Sequence, residues 1–418
     1  MLRNWYARSR HSRRARRGFL TVEWILLLTV LVVAVGIGGL VIYQKQGAAW
    51  SSGAGDSGKL IPNLPVGEAI AKITVQEGTN TLTLAKQDDK WRVEERGGYA
   101  ANYSEISSAV LKLRDLKPVQ TEQVGQAQLG RLQLLPPGDG ANTAIRVEFH
   151  DAGGKVLTSL LLGKTQTRED AQMSQFGGGS MPVGRWVMVD GAKDKVALVS
   201  DPLVNFKAEA GNWLNKDFIK VEKIKSITVT YPEATNSWSV SRTNEAGSDW
   251  TLANAKEGEM LDSSKTSGFG WALSSPSFND VSTSSDIPSL AADKAAAIKL
   301  ETFDGFTYSF KVGEEAEGSR PLTFTVTADL PKERKAGESE SAEDKTRLDK
   351  EFADAQKKLS DQLAAEKALE KWTYLVPSYT LDSLLKQRAE LLKVEAPAAA
   401  DEPVNEPAAP DFLEGVTQ

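Results

Sequence analysis

The chain has 418 residues, contains no cysteine, and carries 50 Lys and Arg against 56 Asp and Glu. The absence of thiols excludes disulfides, thiolate catalysis and cysteine-based metal sites. Seven arginines fall within the first 17 residues, so the remainder of the chain is acidic, which argues against a nucleic-acid-binding surface there.

Residues 1–18 form a basic leader, and residues 19–43 form a predicted transmembrane helix in which Glu23 is the only charged residue. An apolar helix of this length covers a hydrocarbon core of about 30 Å. The arginines of the leader predict a cytoplasmic N-terminus and an exported C-terminal region. We therefore expect a single-pass protein of the bacterial inner membrane with a periplasmic or otherwise extracytoplasmic domain.

The stretch from Gly18 to Glu23 allows a second interpretation. The sequence GFLTVE resembles the cleavage region of type IV prepilins, with Gly18 before the cut, Phe19 as the new N-terminus and Glu23 at mature position five. In that family the Glu neutralises the N-terminal ammonium group of a neighbouring subunit, because membrane burial makes an unpaired charge costly. This resemblance implies a pilin-like or pseudopilin-related secretion component that is processed after Gly18.

Two segments have compositions typical of flexible chain. Residues 44–63 are rich in Gly and Ser and are predicted to form a flexible linker. Residues 394–418 are rich in Pro, Ala and acidic residues and are predicted to form a disordered tail. The linker would interrupt the continuous helical spine of a pilin filament, which favours a membrane anchor.

The intervening region consists of two related halves, 64–218 and 219–393. Each half begins with Ile-x-x-Ile-Thr-Val, continues with a Trp strand, a helix that a serine (Ser104 or Ser263) caps, and a strand pair joined by a turn, and ends with an apolar strand that turns into a helix. The alternating strand patterns predict antiparallel sheets. The predicted fold class is therefore α+β, with two related mixed repeats after the membrane helix.

The second half contains a helical insertion at 339–371. Its apolar residues form one narrow stripe between many oppositely charged pairs at i and i+4, which predicts a long, exposed amphipathic helix. The stripe consists of Leu348, Phe352, Leu359, Leu363 and Leu369. Either the helix lies on its own domain, or the stripe is a docking site for a protein partner.

Motifs that carry chemistry are scarce. With one histidine and no cysteine in the exported region, a transition-metal site would need carboxylates alone, and Ser-His-Asp catalysis would depend on His150. The segment LLLGKT resembles the end of a phosphate-binding loop, but Thr158 occupies the position of the required first glycine. We therefore predict a non-enzymatic protein with no catalytic residue, cofactor, metal or small-molecule ligand.

The segments KWRVEERGGYAANYSEISSAVLKLRDLK, LLLGK, GRWVMVDG and VALVSDPL resemble the exported domain of the domain-of-unknown-function family 4340, over roughly residues 66–393. The resemblance implies an anchored bacterial protein that assists an ABC-type exporter of the gliding-motility auxiliary type and has no ATPase of its own. The predicted function is thus an accessory or scaffold subunit of an envelope complex with protein partners. The alternatives are the pilin-like component and an enzyme acting on envelope polymers.

Overall fold

The computed structural model describes residues 58–62, 64–65, 67–169, 180–189, 195–247, 249–284, 287–337 and 340–393. The predicted leader, transmembrane helix and tail, with Gly18, Phe19 and Glu23, lie outside these residues, as does most of the predicted linker. Among the described residues no helix is long and apolar enough to cross a membrane.

The strands account for most of the regular structure. They are β1 Lys72–Glu77, β2 Asn80–Gln87, β3 Lys90–Val93, β4 Tyr99–Ala100, β5 Pro118–Gln123, β6 Ile145–His150, β7 Val156–Glu169, β8 Ser180–Val189, β9 Lys195–Val199, β10 Ile224–Thr230, β11 Trp238–Ser241, β12 Thr251–Leu252, β13 Asp280–Ser282, β14 Ala296–Thr302, β15 Phe306–Val312, β16 Ser319–Ala328 and β17 Thr373–Pro377.

The α-helices are α1 Tyr103–Asp115, α2 Gln126–Leu129, α3 Ser263–Thr266 and α4 Ala342–Lys367. Short 3-10 helices occur at Gly67–Ala69, Glu94–Arg96, Gly130–Leu132, Ala210–Asn212, Ala234–Asn236, Phe269–Trp271, Pro288–Leu290, Ser378–Thr380 and Arg388–Leu391. Antiparallel sheets with few helices confirm the predicted α+β class.

The chain divides into two compact units. The first contains Ser104–Ala208 together with the described residues up to Lys86, and the second contains Gln87–Tyr103 together with the described residues from Glu209 onward. Residues 87–103, which the sequence assigned to the first half, therefore belong to the second unit.

In the first unit the strands lie in the order β2-β1-β6-β7-β8-β9-β5, all antiparallel. Alternate residues of β1 and β6 are buried, among them Ile73, Val75, Val147 and Phe149. This period of two places one face of the sheet against the core. Helix α1 contributes Ile106, Ala109, Val110 and Leu113, which recur at the spacing of one helical face.

In the second unit an eight-stranded antiparallel sheet has the order β12-β11-β10-β14-β15-β16-β17-β13. Its core side is strongly aromatic, because Phe306, Tyr308 and Phe310 alternate along β15 and are all buried. From β11 to β13 this order matches the order from β2 to β5 in the first unit. The segments that resemble each other in sequence therefore occupy the same places in the two sheets.

Two predicted helical features differ in the structure. Ser104 lies inside α1 instead of capping it, and the cap of α3 is Asp262, whose carboxylate accepts from the Ser264 amide at 2.9 Å. Helix α3 spans only Ser263–Thr266 before a separate 3-10 turn. The glycines that follow it, Gly268 and Gly270, disfavour a longer helix because they add backbone entropy.

The helices predicted after the last strand of each half are absent from the described residues. β9 is followed by a turn in which the Asp201 carboxylate accepts from the Leu203 amide at 2.8 Å, with Leu203 at a φ of 49°. Pro202 in this turn has no N–H with which to continue a helix. β17 likewise ends at Pro377 and leads into a 3-10 turn.

Candidate interaction site

The β7–β8 hairpin extends beyond the sheet. Residues 164–169 of β7 and 180–184 of β8, called here the ribbon, continue to pair with each other after β9 has ended. Of the ribbon side chains that the structure describes, all are exposed except those of Thr165, which is half-buried, and Gly184. The ribbon is thus a two-stranded projection of the first unit.

The equivalent hairpin of the second unit, β15–β16, closes almost at once. β15 ends at Val312 and β16 begins at Ser319, with Glu317 and Gly318 at positive φ in the turn. Two consecutive residues with positive φ form the tight turns that suit the twist of a hairpin. The ribbon is therefore an addition that the first unit has and its counterpart lacks.

The pairing of β7 with β8 is irregular around Arg185. The register shifts once between Leu162 and Thr165 and again between Gln166 and Thr167, and Arg185 lies opposite Thr165, between the two shifts. The β15–β16 register is continuous from Phe306 to Val312. Register shifts of this kind bend a strand and redirect its side chains, and they are common next to functional sites.

The Arg185 guanidinium is held by two carbonyl oxygens. Nε donates to Gly163 O at 2.8 Å and Nη1 donates to Leu203 O at 3.2 Å. Burial lowers the pKa of Arg185, and the Glu77 carboxylate partly opposes this shift. Within the part of the chain that the structure describes, no carboxylate forms an ion pair with Arg185, and Nη2 donates to no protein atom.

Arg320 occupies the same position in the second unit. On β8, Arg185 lies two residues before the residue that pairs with Leu162, and it pairs with Val199 on β9. On β16, Arg320 likewise lies two residues before the residue that pairs with Val312, and it pairs with Val376 on β17. Arg320 Nη1 donates to Gly313 O at 3.4 Å, as Arg185 donates to Gly163 O. The two arginines are therefore equivalent residues of the repeat.

The two arginines differ in one respect that bears on function. Arg320 has an acidic partner, because its Nη2 lies 3.4 Å from Glu315 Oε2. Glu315 lies two residues after Gly313 in the second unit, and the residue two positions after the equivalent Gly163 is Thr165. Arg185 is consequently a partly desolvated cation that has a hydroxyl side chain, Thr165, at the position of Glu315, and whose pKa is affected by the Glu77 carboxylate without a direct ion pair.

Exposed apolar side chains lie along the chain close to Arg185. Met181 and Val183 on the ribbon are 51% and 39% exposed, and Val204, next to the carbonyl that accepts from Arg185, is 50% exposed. Arginine and methionine are both enriched at protein–protein interfaces, so Arg185 and Met181 have the composition expected of a protein-binding surface.

The residues that hold Arg185 lie in three segments on which the family resemblance rests, but the sequence predicted no role for Arg185 itself. LLLGK contributes Gly163, GRWVMVDG contributes Arg185, and VALVSDPL contributes the turn that contains Leu203. The two arginines correspond when the two halves are aligned at Gly163 and Gly313, because each arginine lies on the strand that follows its glycine. That comparison requires the strand register, which the sequence does not contain.

The stripe residues predicted on the insertion all lie on α4 or directly after it. Leu348, Phe352, Leu359, Leu363 and Leu369 are each half-buried. Leu359 lines a cavity of about 250 Å³ with Phe306 and Tyr308, so at that point the stripe faces its own unit. Docking of a partner on this helix remains a prediction.

Helix α4 is anchored near its C-terminal end by Glu366, a charged residue that is only 5% exposed. Its Oε2 accepts from the Tyr308 hydroxyl at 2.8 Å, and its Oε1 accepts from Gln362 Nε2 at 3.0 Å and from the Lys220 amide at 3.3 Å. Both oxygens of this carboxylate are already occupied by donors of the protein. Glu366 therefore serves as an internal anchor of the helix, while Glu222 and Asp304 are the other carboxylates that line the cavity beside it.

The loop before α4 is fixed by Arg334, whose Nη2 lies 2.6 Å from Glu340 Oε2 and whose Nε lies 2.8 Å from Asp349 Oδ1. The bond from Arg334 lowers the pKa of Glu340 to about 2. Because the folded-state pKa is depressed, the stabilisation from this pair is fully present above the ordinary pKa of glutamate and is lost as the pH falls through about 2.

We expect Arg334→Gln to raise the pKa of Glu340 from about 2 towards the ordinary value for glutamate of about 4.3, with the Gly337 amide, which also donates to Glu340, retaining part of the depression. Carbon-13 NMR of the Glu340 carboxyl group during an acid titration measures this directly. Arg347→Gln is the matched control, since Arg347 pairs with Asp344 and Glu351 instead. An unchanged Glu340 titration in the Arg334 variant would contradict the assignment.

His150, the histidine considered as a catalytic candidate, lies at the end of β6. Its Nδ1 is 3.4 Å from Gly154 O and its Nε2 is 3.5 Å from Glu148 Oε2. Across the described ranges no group of three or more His, Cys, Asp and Glu residues could hold a metal ion.

Comparison with known proteins identifies one family. The family model described as Domain of unknown function (DUF4340) matches residues 91–302, just over half of the chain. These residues include both Gly163 and Arg185. No curated protein and no solved structure matched the chain.

Proposed function

The chain belongs to the DUF4340 family, and on that premise we propose that it is a non-enzymatic, membrane-anchored accessory or scaffold subunit of a bacterial envelope complex. In this proposal the apolar segment at 19–43 anchors the protein in the inner membrane, and the two α+β units act outside the cytoplasm by binding other proteins. The partner we propose is an ABC-type exporter of the gliding-motility-like kind.

The observation that carries the proposal is the ribbon with Arg185 at its base. The first unit differs from the second in having no ion pair at its arginine among the described residues and in having an exposed, partly apolar projection, and both differences suit a binding surface. The second unit, whose hairpin is short and whose arginine is paired, provides the internal reference. A surface of this kind supports a protein-binding role.

Co-purification tests this function. The full-length protein, extracted from membranes in mild detergent, should carry exporter permease and ATPase subunits with it, and Met181→Asp should remove most of them, since an aspartate in a desolvated contact costs several kcal/mol. Met260→Asp is the matched control, because Met260 is a 60% exposed methionine of the second unit. Purification without any permease or ATPase subunit would refute the exporter association.

The pilin-like alternative rests on GFLTVE at the start of the apolar segment and has its own test. Processing after Gly18 would leave Phe19 as the N-terminal residue, and intact-protein mass spectrometry detects this loss of residues 1–18 directly. A mass that still includes residues 1–18 rules out this alternative and leaves the anchored accessory role standing.

A further inference from the structure

We propose that Arg185 is the receptor for a carboxylate on an extended segment of the protein partner, and that this segment lies along the free edge of β8. The inference rests on the proposed protein-binding function and deepens it by naming the chemistry of the partner. The segment would carry a Glu or Asp flanked by apolar residues.

The free edge of β8 favours an extended occupant. β9 pairs with β8 only from Arg185 to Met188. Residues Ser180–Val183 of β8 pair with β7 on one edge, and no strand of the described residues pairs with their other edge, which faces the β9 side. The side chains of these residues are exposed. A strand edge presents unpaired backbone N–H and C=O groups, and an extended peptide satisfies these groups by adding a strand.

The charge at the base of the ribbon favours an acidic residue in that occupant. Two of the nitrogens of Arg185 are held in place by Gly163 O and Leu203 O, so its position is fixed before any ligand arrives. A guanidinium that still has free N–H groups binds carboxylates with particular geometric specificity. In the second unit, the carboxylate that pairs with the equivalent arginine, Arg320, is supplied by Glu315 of the same chain.

The apolar residues near Arg185 define the rest of the segment. Met181, Val183 and Val204 are exposed, and an occupant with branched apolar side chains on either side of its acid would cover them. A helical partner would leave the edge groups of β8 unpaired, so an extended conformation suits this surface better.

Methyl NMR on the full-length protein tests the inference. The chain has five methionines, and Met181 and Met188 both lie on β8, so carbon-13-labelled methionine methyl groups report on the edge directly. The probe is the synthetic peptide acetyl-Thr-Val-Glu-Val-Thr-amide. We expect it to shift the Met181 signal saturably, to leave Met260 unchanged, and to bind about tenfold more tightly than the same peptide with Gln in place of Glu.

Substitutions at Thr165 decide whether Arg185 is the receptor. Thr165 lies directly opposite Arg185, so Thr165→Glu supplies the internal carboxylate that the second unit has in Glu315. This variant should fold and should abolish the preference for the Glu peptide. Thr167→Glu, which places its carboxylate opposite Pro182, adds the same charge to the ribbon and should keep the preference.

The outcomes separate the inference from the function on which it rests. Equal binding of the Glu and Gln peptides, or no Met181 shift at any soluble peptide concentration, overturns the inference even when exporter subunits co-purify. A preference for the Glu peptide that survives Thr165→Glu also overturns it. If the peptide binds as expected but no exporter subunit co-purifies, the carboxylate site stands and the proposed partner is wrong.

Discussion

Replacing Glu366 by leucine is expected to destabilise the second unit by about 1–3 kcal/mol, because the change leaves the buried Tyr308 hydroxyl and two partly buried donors without an acceptor. The Tyr308 hydroxyl, the Lys220 amide and the Gln362 amide group all donate to this carboxylate. Leucine fills much of the same volume but accepts no hydrogen bond. The end of α4 should therefore separate from β15, and the helix should lose its anchor.

Hydrogen–deuterium exchange measured on the full-length protein should show faster exchange across α4 in this variant. Urea unfolding followed by the same method gives the change in free energy. Asp354→Leu is the control, because Asp354 is an exposed residue in the middle of the same helix, where such a change alters stability by no more than about 0.5 kcal/mol. Similar exchange in the two variants would show that Glu366 does not anchor the helix.

The anchor also bears on the two interpretations of the apolar stripe. If Leu359 and its neighbours serve only to hold α4 on its own unit, loosening the helix by Glu366→Leu should leave the co-purification of partners unchanged. If the stripe is a docking site for a partner, the loosened helix should change the amount of partner recovered. The Glu366→Leu variant thus distinguishes packing of the stripe on its own unit from docking of a partner on the stripe.

Much of the strand pattern was predictable from the sequence. Alternation in Ile-x-x-Ile-Thr-Val places Ile73, Val75, Ile227 and Val229 on the buried sides of β1 and β10, because successive side chains of a strand point to opposite faces. Helix α4 was predicted at 339–371 and spans Ala342–Lys367, since the many good helix formers and the cap at Ser341 agree with each other.

The features that the sequence did not predict depend on tertiary packing. The assignment of residues 87–103 to the second unit depends on contacts such as the Arg96 Nη2 to Asp280 Oδ2 ion pair at 2.6 Å, which joins residues far apart in the chain. No local pattern of propensity contains such a pairing. The absent helices after β9 and β17 show the same limit, because the apolar residues there pack in turns and 3-10 segments.

The candidate site was harder to predict than the fold for a related reason. A lone arginine in a strand is usually a solvated residue, and GRWVMVDG gives no indication that Arg185 is half-buried or without an acidic partner. Both properties follow from the register shifts in β7–β8 and from the turn at Leu203. Such irregularities depend on which strand lies opposite, so they become visible only in three dimensions.

Replacing Gly163 by alanine is expected to destabilise the first unit by about 3 kcal/mol and to displace Arg185. A Cβ at this position would lie 2.4 Å from Leu132 O and 2.7 Å from Leu134 Cδ2, and the backbone oxygen cannot move aside cheaply. Any shift of this segment moves Gly163 O, which accepts from Arg185 Nε. The glycine thus couples the packing of the core to the position of the guanidinium.

Gly138→Ala is the matched control for Gly163→Ala, because a Cβ at Gly138 meets nothing within 4 Å. It should leave stability unchanged or raise it by about 0.4 kcal/mol, since alanine restricts the unfolded chain. Urea unfolding of both full-length variants measures the difference, and the Glu-peptide titration followed at the Met181 methyl group reports on Arg185. If Gly163→Ala unfolds at the same urea concentration as Gly138→Ala, the close approach of β7 to Leu132 does not constrain the site. A stable Gly163→Ala protein that still prefers the Glu peptide would show that Arg185 keeps its position without the Gly163 carbonyl.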